Sequence, residues 1–77
     1  MNKARRKELE KALELLEQAS DIIDSVKVDE EEAYENLPDG LRESERGETM
    51  QEALSSLEDA LTDLENVTDD IQNAIDV

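Results

Sequence analysis

Asn36-Leu37-Pro38-Asp39-Gly40 lies at the middle of a 77-residue chain and separates two long amphipathic halves. Proline has no backbone N–H to donate to a continuing helix, and it pushes the preceding residue, Leu37, toward extended geometry. Asp39-Gly40 adds turn chemistry directly after it. A helix that arrives at Asn36 must therefore stop, and the chain has only a few residues in which to fold back.

The flanking halves carry helical periodicity. Upstream, one lane at heptad spacing reads Leu9, Leu16, Ile23, Glu30 and Leu37, and another reads Ala12, Ala19, Val26 and Ala33. Leu13, Leu15, Ile22 and Tyr34 widen that stripe. Downstream the lanes are Met50, Leu57, Leu64, Ile71 and Leu54, Leu61, Thr68, Ile75, with Ala53, Ala60, Val67 and Ala74 beside them. A unit of the form Ala-Leu-x-x-Leu-Glu-x recurs at Ala12–Gln18, Ala53–Asp59 and Ala60–Asn66, as coiled-coil packing requires. Spacings that alternate between three and four over so long a stretch predict amphipathic helices. The expected fold is all-α: one domain over 1–77, with a first helix near 3–35, a turn over 36–43 and a second helix near 44–76. Ser44 stands where an N-cap belongs, ahead of Glu45 and Glu48 in a first turn that favours negative charge, while Gly47 weakens that turn slightly. At 1.5 Å per residue each helix is ~50 Å long, and the short connection makes them an antiparallel two-helix coiled-coil hairpin.

A fold-back centred between Asp39 and Gly40 would set Val26 against Ala53, Ala19 against Ala60 and Ala12 against Val67. Small residues face to face let helix axes approach closely. In that register Leu13, Leu16 and Ile23 of the first helix, with Leu54, Leu57, Leu61 and Leu64 of the second, are left uncovered. Such a surface calls for a second layer, and the simplest one is a copy of the chain, giving a homodimeric four-helix bundle. The same register brings Lys3, Arg5, Arg6 and Lys7 opposite Asp69, Asp70 and Asp76. Ion pairing there accounts for bases at a helix N-terminus, where the macrodipole disfavours them; a basic arm touching nucleic acid is the other reading.

Composition excludes several classes of function. The chain has 23 acids, 8 bases and a formal net charge of −15, with no Cys, no His, no Trp, no Phe and one Tyr. Without Cys or His there is no thiolate, no Cys-based zinc site and no imidazole for acid–base work or metal ligation. A two-helix hairpin offers no enclosed pocket in which one carboxylate is neutralised beside an ionised neighbour, so no catalytic residues, cofactor or metal are expected. Asp29-Glu30-Glu31-Glu32 lacks the alternating ligands and central glycine of a calcium loop, and reads as a solvated helical face. No apolar run is long enough for a signal peptide or membrane span, so the expected location is the cytoplasm, away from membranes. The negative surface also repels nucleic acid and favours basic proteins as partners.

The acids are ordered. On the first helix Glu10, Glu14, Glu17, Asp21 and Asp24 step by fours and threes, and Glu31 and Glu35 continue the row. On the second, Glu58, Glu65 and Asp69 belong to one row, and Asp59, Asp63 and Asp70 to another. Two readings fit such rows. One is the solvated polar face that any amphipathic helix carries. The other is a rod of carboxylates whose charge imitates the phosphates of a short duplex and so occupies a basic, nucleic-acid-binding protein surface.

Around the turn, Tyr34-Glu35-Asn36-Leu37-Pro38, Leu41 and Ser44-Glu45-Arg46-Gly47-Glu48, followed by the Ala-Leu-x-x-Leu-Glu units, form a recognisable pattern. Over about residues 29–76 it resembles the small acidic helical-hairpin proteins carried by phages and prophages of gram-positive bacteria. The resemblance implies a genomic setting and no particular mechanism. Phage-borne proteins of this size and charge are often inhibitors of host nucleases or defence systems. The leading expectation is therefore a non-enzymatic module that binds and blocks a basic host protein. The alternative is an assembly hairpin that acts through self-association.

Overall fold

The computed structural model describes all 77 residues. Helix α1 spans Lys3–Glu35, a one-turn helix α2 spans Asp39–Arg42, and α3 spans Glu45–Asp76. Asn2 caps α1, its side-chain oxygen accepting a hydrogen bond from the Arg5 backbone N–H at 2.8 Å. Ser44 occupies the cap position of α3 but does not cap it through its side chain. Its hydroxyl donates backward to the Leu41 carbonyl oxygen at 2.5 Å, which ties the end of α2 to the start of α3.

The connection differs from a simple Asp-Gly turn. Gly40 has no positive φ and lies inside α2, with nothing near the position a Cβ would occupy. The chain turns instead around Arg42. Its Nε donates to the Leu37 carbonyl oxygen at 3.2 Å, and its guanidinium pairs with Asp39. Gly47, the one fully buried residue, lies against this turn. A Cβ at Gly47 would sit 2.0 Å from the Arg42 carbonyl oxygen, so α3 can start here only because the residue has no side chain.

Three contacts fix how α1 and α3 run past each other. The Arg6 Nη2 donates to the Val77 carbonyl oxygen at 3.1 Å, Lys27 Nζ lies 3.7 Å from Glu58, and Gln51 Nε2 donates to the Tyr34 hydroxyl at 2.8 Å. The helices are antiparallel, with Leu9 level with Ile75, Leu16 with Thr68, Ile23 with Leu61, Glu30 with Leu54 and Leu37 with Gly47. Layers of Leu13 with Ile71, Ser20 with Leu64, Lys27 with Leu57 and Tyr34 with Met50 alternate with these. Apart from the buried Gly47, every one of these residues is half-buried.

The seam is therefore made of the leucine-rich lanes, and the expected register is corrected. Ala19 is level with Val67 rather than Ala60, Ala12 with Ala74 rather than Val67, and Val26 with Ala60 rather than Ala53. The small-residue lanes still lie alongside each other, but one heptad further along α3 and on one flank of the seam. Leu13, Leu16, Ile23, Leu54, Leu57, Leu61 and Leu64 do not form an uncovered outer surface; they are the seam itself. Two physical causes act together. The α2 turn moves the centre of the fold-back from Asp39-Gly40 to Arg42. In a hairpin with no second layer, facing leucines also remove more apolar area from water than facing alanines, at ~25 cal/mol per Å².

The shifted register changes the fate of the basic N-terminus as well. The first residues of α1 reach past the end of α3, so Lys3, Arg5, Arg6 and Lys7 form no ion pair with Asp69, Asp70 or Asp76. Arg6 instead donates to the carbonyl oxygen of Val77, the C-cap of α3, where the helix dipole favours a cation. The result is a rod of 58 × 15 × 12 Å with a radius of gyration of 17.4 Å, against about 11–12 Å for a compact domain of this length. No apolar side chain is fully buried. No helix is long and apolar enough to cross a membrane.

Candidate acidic interface

With the seam located, successive residues step around each helix by about 100°. The row Glu10, Glu14, Glu17, Asp21, Asp24, Glu31 and Glu35 falls on one flank of α1, adjoining the seam. Glu58, Glu65 and Asp69 come from α3 to the same flank, Glu65 level with Glu17 and Glu58 with Asp24. All of these carboxylates are exposed except Glu31, which is half-buried. Asp59, Asp63 and Asp70 do not join them. They lie on the outer back of α3, so the fold splits the sequence-defined acidic residues into one two-helix cluster and one separate strip.

Within the cluster the helices enclose an open groove of about 420 Å³. Leu16, Leu61 and Leu64 contribute apolar surface, Ser20, Thr62 and Thr68 contribute hydroxyls, and Glu17, Asp21 and Glu65 supply carboxylates. The hydroxyls were absent from the sequence-derived site because their significance depends on which face of each helix adjoins the seam. Lys27 was also missed. Its signal is a base at heptad spacing from Leu13 and Tyr34, in a lane that faces the seam. Its stem lies in the seam, its side chain is 22% exposed, and its ammonium sits 3.5 Å from Glu31 and 3.7 Å from Glu58. Between Glu10 and Glu35 it is the only cation of this flank, and it is already engaged.

The arrangement can bind cations spread over an extended surface, with a shallow apolar strip to receive aliphatic stems such as those of Lys and Arg. No three carboxylates converge as a set that could hold a metal ion. The Asp29-Glu30-Glu31-Glu32 run lies inside α1, where consecutive side chains point in different directions. No protein-family model, curated protein or solved structure matches the chain.

Proposed function

We propose that this chain is a non-enzymatic binding module that uses its acidic flank to occupy a basic surface of a partner protein, including surfaces that otherwise bind nucleic acid. The observation that carries the reading is the two-helix cluster. Carboxylates from α1 and α3 border one groove that no cation lines, and the nearest base of this flank, Lys27, is neutralised by Glu31 and Glu58. A merely solubilising face needs neither convergence from two helices nor an apolar floor. The negative field steers basic partners inward and repels nucleic acid and anionic lipid. In this reading the chain acts in the cytosol of a bacterial host on a target such as a defence nuclease, as its resemblance to phage-borne acidic proteins suggests.

The test is charge reversal by face. Glu17→Lys, Asp21→Lys and Glu65→Lys together should abolish capture of host proteins by the immobilised chain at low salt. Asp59→Lys, Asp63→Lys and Asp70→Lys change net charge equally from the back of α3 and should leave most capture intact. Equal loss from both triple variants would mean that only bulk charge matters, and the groove reading would fail.

A second reading is favoured by a separate observation. No apolar side chain is fully buried in the hairpin, so a second layer would add stability that one layer cannot reach. In this reading the chain is an assembly hairpin that pairs with its own copy to complete a four-helix bundle.

A further inference from the structure

We infer that two copies pair through the outer flank of α1 that carries Leu15, Ile22 and Val26, packed antiparallel against the same flank of the second copy. The inference rests on the self-association reading and names a surface different from the leucine seam. Leu15 is 64% exposed, Ile22 65% and Val26 49%, the largest exposures of apolar side chains within α1. They lie on one stripe with Ala12 and Ala19, at spacings of three and four residues, about 110° around α1 from the seam. A helix with two such stripes is patterned for two helical neighbours; α3 covers the first and reaches only the half-buried Ala12 and Ala19 edge of the second, leaving Leu15, Ile22 and Val26 exposed. The acidic row lies on the opposite flank, so packing here leaves the groove open.

Charge fixes the direction of pairing. Near one end of this flank stand Arg5 and Lys11 with Glu8 between them, a net positive group, and near the other Asp29 and Glu32. Lys11 pairs only with Glu8 of its own helix, while Arg5, Asp29 and Glu32 form no ion pair. A parallel arrangement would set bases against bases and acids against acids. An antiparallel one, with its two-fold axis passing between Ala19 and Ile22, sets Leu15 against Val26 of the second copy. It brings Lys11 level with Asp29 and Glu32 of that copy. The contact is isologous, so each complementarity occurs twice and the assembly closes as a dimer.

Sedimentation equilibrium of the full chain across micromolar concentrations should show a dimer. Leu15→Gln or Ile22→Gln should each raise its dissociation constant at least ~10-fold. Val28→Gln, at an exposed apolar residue on the acidic side, should not. Lys11→Glu should weaken pairing, and adding Asp29→Lys to the same chain should restore it. Because the chain has no cysteine, a mixture of Leu15→Cys and Val26→Cys chains reports orientation directly. The mixture should form disulfide-linked dimers and neither variant alone should. A chain monomeric at every concentration overturns self-association, and this surface with it. A dimer that survives Leu15→Gln and Ile22→Gln, or Leu15→Cys chains that link to one another, overturns this surface alone.

Discussion

A methyl group at position 47 would lie 2.0 Å from the carbonyl oxygen of Arg42 and 2.6 Å from its carbonyl carbon. Neither atom belongs to a flexible side chain, so relief requires the α2 turn or the start of α3 to move. Both are held by the Ser44 hydroxyl on Leu41 and by Arg42 on Leu37 and Asp39. Gly47→Ala should therefore destabilise the hairpin by about 1–3 kcal/mol, as overpacking does, despite the better helix propensity of alanine. Gly40 presents the opposite case, because its φ is ordinary and the space around it is empty. Gly40→Ala should be neutral or stabilise by about 0.4–1 kcal/mol through the unfolded chain. Thermal melts followed by circular dichroism separate the two. A Gly47→Ala variant as stable as the parent would mean that the close approach of the two backbones is not needed.

Between the elements, the seam makes a prediction by position. Leu61 lies level with Ile23 inside it, and the adjacent Ala60 lies on its flank, half-buried. Leu61→Ala should cost about 1–2 kcal/mol, less than in a closed core because the side chain keeps some exposure. Ala60→Leu should be close to silent. Equal losses at both sites, read from denaturant midpoints, would mean that the alanine lane carries the packing after all. The lanes and the breaker at Pro38 were legible in the sequence, since each depends on local spacing and on proline's missing donor. Which lanes face each other was not. The leucine and alanine lanes share one period, and the choice between them turns on α2 and on a backbone approach at Gly47 that no periodicity encodes. The same uncertainty carried over to the candidate site. Glu10 through Glu35 could be read as one row, but the company they keep depends on the seam. Glu58 and Glu65 join them, whereas Asp59, Asp63 and Asp70 do not.

At the scale of the whole molecule, a net charge of −15 is spread over a rod 58 Å long and 15 Å wide. Charges interact strongly only within about 10 Å at 0.1 M ionic strength, so repulsion acts between neighbouring carboxylates and not end to end. The acids crowd where the helices lie side by side, as with Glu17 beside Glu65, and unfolding lets them separate. Against this stand ion pairs of Lys11 with Glu8, Lys27 with Glu31 and Glu58, and Arg42 with Asp39. Most of the carboxylates in them are well exposed, and such pairs contribute about 0–1 kcal/mol each. Screening therefore removes more repulsion than attraction, and the melting temperature should rise from low to high sodium chloride. Binding to a basic partner depends on the same field with the opposite sign and should weaken over that range. Opposite trends, melting temperature up and partner affinity down, are expected if the acidic flank is held for recognition at some expense of stability. A melting temperature that falls as salt is added would show that the few ion pairs outweigh the crowded rows, and the rows would then exert no self-repulsion for a basic partner to relieve.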